Sequence, residues 1–300
     1  MAGFTVSSLT NFTEKSTELL REGVLFSDDL QNYSMQLGVN YAQYLNFIDC
    51  NPYVQAGSCG LSASGSTVLT EKTITTATYA FRDQFCTQDL VKKAFPQGAG
   101  TLKGDLGDVV EEGLTMGEIE QIKKQVDADL WLGTNGLIDG WFANLSACTG
   151  AISLDTYSAT TATLTNIDEI VDDFIDNITD AMWSRGVLTL HCSVAVFNLY
   201  KRNRLAANYY RDQDETMGAL EMWLFGYEGQ IKIKGEPGLA GSNYMLLTWD
   251  KNLFIATDEL TEIAEAKWVY DEVTDYVWFK SSFKLGTQIA FCGECIHNMY

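Results

Sequence analysis

Ile231-Lys232-Ile233-Lys234-Gly235-Glu236-Pro237-Gly238-Leu239-Ala240-Gly241 is the stretch on which the reading of this chain turns. It is rich in Gly, yet it lacks the Lys-Ser/Thr pair of a phosphate-binding loop and no helical pattern follows it. The expectation is a surface turn between strands. An amphipathic helix, a short apolar strand and a second helix precede it, and β patterns follow it to the C-terminus. No catalytic motif interrupts the series. A chain of 300 residues with many elements and no constellation for chemistry reads as a building block.

Beyond the glycines, Tyr244 to Trp249 and Leu253 to Ala256 flank the turn Asp250-Lys251-Asn252, a pattern that predicts a hairpin. In the last strand Val277, Phe279, Phe283, Leu285, Ile289 and Phe291 share one face, with Lys280, Ser282, Lys284 and Gln288 on the other. That alternation predicts a long strand packed on one side. Toward the N-terminus, Val187 to Cys192 reads as a short buried strand and Ser193 to Tyr210 as a helix. Before them Ile167, Ile170, Val171, Phe174, Ile175, Ile178 and Met182 recur at helical spacing, with Asn166 as cap and Glu169 three residues on. Helix, strand, helix in this order predicts a small α/β module.

Thr115-Met116-Gly117-Glu118 fits the capping-box pattern, and Ile119, Ile122, Val126 and Leu130 then mark one apolar face, so a helix is predicted over 115–132. Residues 149–165 read as an exposed loop and 96–107 as a Gly-rich linker. Thr67 to Phe85 is dominated by β-branched and aromatic residues but is polar for a core strand. A two-stranded ribbon projecting from the body accounts for that, and such a ribbon needs a partner surface. Residues 51–66 read as loop, and residues 1–50 as a short helix, Thr13 to Arg21, leading into an extended arm.

Composition narrows the function. With 46% apolar and 20% charged residues the chain is globular. Forty acidic residues against twenty basic give a net charge of −20, which repels phosphate backbones and argues against sequence-specific nucleic-acid binding. A wall around packed DNA is compatible with it. Met1 to Thr10 carries no basic-then-apolar export signal, and no apolar run is long enough to span a membrane. The seven cysteines, at 50, 59, 86, 148, 192, 292 and 295, are therefore expected to be mostly free, buried thiols.

The sharpest local motif is Cys292-Gly293-Glu294-Cys295 with His297, which supplies ligands for half a zinc site or a thiol–disulfide pair. Cys50 and Cys59 are spaced too widely to complete it, so the expectation is an incidental C-terminal tail, no metal and no cofactor. His191 reads as a buried strand residue, and Ser193 beside it lacks a nucleophile elbow. Lys201, Arg202, Arg204 and Arg211 form a basic cluster, either a solvated helix face or a contact with the acidic face of a neighbouring subunit.

The order of these elements resembles the major capsid proteins of tailed bacteriophages, the Hong Kong 97 capsid fold, and among them those of phages of Bacteroidetes-type hosts. The stretches that carry it are Phe85 to Leu90, Leu114 to Ile119, Asp129 to Gly133, Asp139 to Trp141, Lys234 to Leu239, Leu253 to Asp258 and Val277 to Phe291. The resemblance implies an α+β fold with an N-terminal arm (1–55) and an extended β-hairpin loop (56–88). It implies a peripheral domain (89–165) with its long spine helix (115–132), an α/β axial domain (166–257), and peripheral strands and tail (258–300). It further implies a non-enzymatic protein that self-assembles into hexamers and pentamers of an icosahedral shell around double-stranded DNA. Portal, scaffold and decoration proteins would be its partners, the host cytoplasm its place of assembly and the virion its destination. Thr70, Lys72, Thr73, Thr75, Tyr79, Arg82, Lys201, Arg202 and Arg204 are the expected inter-subunit contacts. An encapsulin-like cellular shell is the alternative of the same fold. A zinc or thiol protein using Cys292, Cys295 and His297 is the alternative of a different class.

Overall fold

The computed structural model describes residues 28–52, 65–86, 108–154, 162–163, 165–207, 219–258, 265–271, 274 and 276–299. The predicted helix Thr13 to Arg21, the linker 96–107, most of the loop at 51–66, residues 155–161 of the loop at 149–165, Arg211 and Cys59 lie outside these residues. The described part of the loop at 149–165 is not simply exposed: Ile152 and Ser153 form a strand paired with Ile296 and His297, and Leu154 is buried. In chain order the elements are α1 (Asp28–Gln31), β1 (Ser34–Leu37), β2 (Ala42–Pro52), β3 (Gly65–Thr75), β4 (Ala77–Cys86), α2 (Asp108–Leu132), α3 (Trp141–Ser146) and β5 (Ile152–Ser153). There follow α4 (Ile167–Asp176), α5 (Asp180–Trp183), β6 (Leu188–Ser193), α6 (Val194–Ala206), β7 (Glu221–Trp223), β8 (Ile231–Glu236), β9 (Met245–Thr248), β10 (Leu253–Thr257), β11 (Glu265–Asp271), β12 (Tyr276–Ile289) and β13 (Ile296–Asn298).

Two sheets organise the molecule. The first is built on β12, whose alternation puts Val277, Phe279, Phe283, Leu285 and Ile289 into the core. It pairs with β4 and β11 along its first part and with β10 at its end, and β10 pairs in parallel with β1. The apolar face of α2, Ile119, Ile122, Val126 and Leu130, joins these side chains in one cluster with Trp131 and Trp141. The second sheet runs β5-β13-β9-β6-β8-β7, with β6 and β8 parallel. Its core takes Ile167, Ile170, Val171 and Phe174 of α4 and Val196, Phe197 and Tyr200 of α6. The faces of α2 and α4 are the ones the sequence period marks.

Local signals misplace several ends. The backbone is already helical from Asp108, so Thr115 lies inside α2, fully buried, and its hydroxyl cannot act at a helix start. Asn166 turns its Oδ1 back to the Thr163 amide and hydroxyl, at 2.6 and 2.9 Å, and makes no capping bond to α4. The run to Met182 is broken after Asp176, and Thr179 caps α5 separately by accepting from the Met182 amide.

Topology corrects more. The expected hairpin of β9 and β10 does not form: β9 lies in the second sheet, β10 in the first, and a single 3-10 turn, Asp250–Asn252, carries the chain between them. That turn has no glycine with which to fold a strand straight back on itself. The fully buried Asn252 holds the crossing. Its side-chain amide donates to Thr248 Oγ1 and to Phe291 O, both at 3.0 Å, and its Oδ1 accepts from Phe291 N at 2.7 Å.

The glycine-rich stretch is not a surface turn either. All of Gly235, Glu236, Gly238 and Leu239 are buried: Gly235 lies against Val194 and Phe197 of α6, and the turn Pro237–Leu239 packs on α2. A Cβ on Gly238 would stand 2.7 Å from the Asp127 carbonyl carbon and from Trp131 Cδ1, so only glycine allows this approach. Nor is the C-terminus an incidental tail. Cys295, Ile296, His297 and Asn298 are buried, and β13 is inserted between β5 and β9.

Candidate assembly surface

The ribbon is made by β2 and β3, paired antiparallel from Ala42 opposite Thr75 to Pro52 opposite Gly65. It therefore begins within the expected arm, and β4, expected in the hairpin, instead joins β12. The ribbon has two unlike faces, as period-2 alternation requires. Leu45, Phe47, Lys72 and Ile74 face the body: Leu45 and Ile74 form a small core with Val39 and Ala256, and Phe47 packs edge-on against Phe254 at 5.7 Å. Gln288 Nε2 donates to Thr73 O at 2.8 Å, and a Cβ on Gly286 would collide with the Thr75 carbonyl, so the root lies tight against the end of β12. The opposite face carries Ala42, Tyr44, Asn46, Glu71, Thr73 and Thr75, all exposed, with Tyr44 at 65% and the neighbouring Tyr41 at 79%.

The expected contact residues divide on this geometry. Thr73 and Thr75 lie on the exposed face. Thr70 sits further out on β3, opposite Phe47. Tyr79 is corrected: it is buried, stacks on Phe283 at 5.6 Å and donates to Asp129 Oδ2 at 3.0 Å, leaving no side-chain surface for another subunit. Lys72 is engaged within the chain, donating to Ile289 O at 2.7 Å and to Cys292 Sγ at 2.9 Å. Arg204 pairs with Asp168 at 2.7 Å and lies over the Tyr200 ring, Arg202 donates to Asn198 O, and Lys201 is half-buried.

Arg82 is exposed on β4, and register brings it into a row that the linear sequence hides. It stands opposite Lys280 of β12, which stands opposite Lys267 of β11. Three cations side by side repel one another, and Lys280 also lies over the Trp278 ring at 5.9 Å. The signal was there only in the pairing of strands nearly two hundred residues apart in sequence.

The cysteine motif is split between a bridged and a free cysteine. Cys292 forms a disulfide with Cys148, 144 residues away, contrary to the expectation of free thiols, while Cys86, Cys192 and Cys295 are free. Cys295 is buried beneath Asn252, whose amide donates to its sulfur at 3.2 Å, and burial pushes its thiol up to about 12. Glu294, between the two, takes a bidentate grip from Arg185 and the indole N–H of Trp249 at 2.7 Å. His297 is held in β13. Cys292, Cys295 and His297 are thus not assembled as a ligand set, and among the described residues no group of three or more His, Cys, Asp or Glu is arranged to hold a metal ion.

A buried charge cluster lies where the two sheets meet. His191 Nδ1 is 2.9 Å from Glu236 Oε1 and its Nε2 is 3.4 Å from Asp250 Oδ1. Lys234 reaches Glu236 at 3.2 Å, Lys232 reaches Asp250 at 3.1 Å, and Tyr33 donates to Glu236 at 3.1 Å. Burial pulls His191 down, but the hydrogen bonds and charges of Asp250 and Glu236 outweigh it and hold the imidazole above its ordinary value. Burial likewise raises Glu236 and Asp250, and His191 with the lysines overrides it, so both carboxylates stay below their ordinary range. Ser193 serves as a cap: its hydroxyl accepts from the Val196 amide at the start of α6.

No protein-family model matches the sequence, and no curated protein matches it. Solved structures do match. The satellite phage P4 procapsid that includes the size-determination (Sid) protein superposes with a TM-score of 0.59 at 11% identity, over 100% of this chain and 91% of the other. The capsid of an empty GTA particle gives 0.58 at 12% identity, over 90% and 88% of the two chains. The fold is that of a phage capsid subunit. A virus-like particle from Pyrococcus furiosus shares it, with a TM-score of 0.54 at 10% identity over 96% of this chain and 99% of that one.

Proposed function

We propose that this chain is the major capsid protein of a tailed bacteriophage, with the Hong Kong 97 arrangement of arm, extended loop, peripheral domain and axial domain. Copies assemble in the host cytoplasm into hexamers and pentamers of an icosahedral shell around double-stranded DNA, with portal and scaffold proteins as partners. The role is structural, not catalytic. The likeness to phage capsid structures over 90% or more of this chain carries the reading.

The mechanism is geometric. Many modest contacts repeat around closed rings, and a ribbon reaching across a neighbour adds area that a compact subunit lacks. The exposed face with Tyr41, Tyr44, Thr73 and Thr75 is that contact surface. The row Arg82, Lys280 and Lys267 meets acidic surface on the adjoining copy, which a chain of net charge −20 offers in plenty. The same negative charge leaves DNA enclosed without being gripped.

Electron microscopy of the purified protein tests this. Closed particles containing nuclease-protected DNA when isolated from producing cells are expected. Replacing residues 50–67 by a short Gly-Ser linker should leave the root of the ribbon and a folded subunit but no shells. Normal particles from that variant would overturn the ribbon's role, and particles filled with a protein cargo and no DNA would place the chain with cellular shells instead.

A further inference from the structure

We propose that Cys148 and Cys292 are a thiol–disulfide exchange site for low-molecular-weight disulfides, with Lys72 as the residue that activates Cys292. The proposal is independent of shell formation.

Three segments distant in sequence meet here. Cys148 follows α3, Cys292 follows β12, and Lys72 comes in from the ribbon. The two Cα atoms are 5.5 Å apart, within the ordinary span of a bridge. Lys72 Nζ lies 2.9 Å from Cys292 Sγ and 3.9 Å from Cys148 Sγ. Its position does not rest on the sulfur alone, because the Ile289 carbonyl holds the same ammonium at 2.7 Å. When the bridge is open, that ammonium stands at hydrogen-bond distance from a free sulfur, an arrangement that favours the thiolate and hence nucleophilic attack.

The neighbouring thiols are not competitors. Cys192 and Cys295 are buried, and burial holds both as thiols. Cys148 and Cys292 are only half-buried and within reach of a small reagent. Their chemistry balances as follows. The Cys292 thiolate attacks one sulfur of a small disulfide RSSR, forming Cys292–S–S–R and releasing one thiolate RS⁻. The Cys148 thiolate then attacks the Cys292 sulfur, forming the protein disulfide and expelling the second RS⁻. Two electrons pass from the protein to the small disulfide, and the two RS⁻ take up the two protons lost by the cysteines.

Closure ties the loop after α3 to the segment that leads into β13, with the ribbon held alongside through Lys72. Opening removes the covalent tie and leaves hydrogen bonds, among them Lys72 to Cys292 and the Ile152 amide to Cys295 O at 2.9 Å. The site therefore converts the thiol poise of the surroundings into the presence or absence of a covalent tie at the foot of the ribbon.

The test uses the full chain, reduced and freed of reductant, with oxidised glutathione as probe. A loss of two mass units and a Cys148–Cys292 peptide are expected, whereas persistence of both thiols in excess oxidised glutathione would overturn the site. In a Cys148→Ser background, glutathione addition to Cys292 should slow about tenfold at neutral pH in Lys72→Met, because one unit of thiol pKa changes the thiolate fraction tenfold. The pH midpoint of the rate should rise by about one unit, with Lys72→Arg restoring it. Should Lys72→Met fail to fold, the pH profile of Cys148→Ser alone decides: a midpoint at or above that of a free cysteine, about 8.5, refutes the activating role. An unchanged rate and midpoint in a folded Lys72→Met would do the same.

Discussion

Replacing Glu236 by Gln removes the carboxylate on which His191, Lys234 and Tyr33 converge, at 2.9, 3.2 and 3.1 Å. Breaking a buried ion pair from one side costs about 3–5 kcal/mol, since the partner charges stay buried without compensation. For a chain of 300 residues, an unfolding entropy of about 2.1 cal/mol/K per residue gives about 0.63 kcal/mol/K, so the melting temperature should fall by about 5–8 °C. The pH dependence has a sign as well. His191 is raised above its ordinary value, so its contribution is complete below about pH 6.5 and is lost as pH climbs through the folded-state value. Glu236 and Asp250 are lowered, so theirs is complete above the ordinary carboxylate range and is lost as pH falls through their folded-state values. Stability should peak between the two. Glu236→Gln should flatten the alkaline limb, because His191 keeps only Asp250. Circular-dichroism melts of the unassembled subunit at pH 5.5, 7 and 8.5 measure both effects, with exposed Glu120→Gln as control. A variant melting within about 1 °C of wild type throughout, or one with an unchanged alkaline limb, would refute the reasoning, taking about 0.6 kcal/mol/K as the conversion.

Gly238→Ala should cost about 2–3 kcal/mol in urea unfolding, because the added methyl meets the Asp127 backbone and the Trp131 ring where the turn after β8 packs on α2; an unchanged midpoint would mean the seam opens freely. Tyr79→Phe should lose about 1–2 kcal/mol by the same measurement, since Asp129 loses one donor but keeps Thr134 and Asn135. Tyr41→Ala with Tyr44→Ala should leave subunit stability within about 0.5 kcal/mol, as exposed residues do, while lowering particle yield in sedimentation. Full yield would remove these tyrosines from the contact surface.

Sequence periodicity found what is local. The apolar faces of α2 and α4 and the alternation of β12 were legible because a buried stripe must repeat at the period of its own element. Pairing between strands was not, since nothing in Tyr44 names Thr73 as its neighbour and nothing in β9 says that β10 leaves for another sheet. Thr115 misled because a capping box and a helix interior can share the same four letters. The proposed contact surface was half legible: Thr73 and Thr75 face outward, but Tyr79 four residues past the ribbon turns inward, and the row Arg82, Lys280 and Lys267 exists only through register. The cysteine motif concealed a partner 144 residues away.

Asn252 rivets the place where the chain passes from one sheet to the other and, through Phe291, the place where it passes back. A body fastened at these two crossings resists changing curvature by parting its halves like a hinge. Whatever bending is asked of it must be taken up at its margins, where the ribbon leaves the end of β12, while the two sheets tilt as one plate.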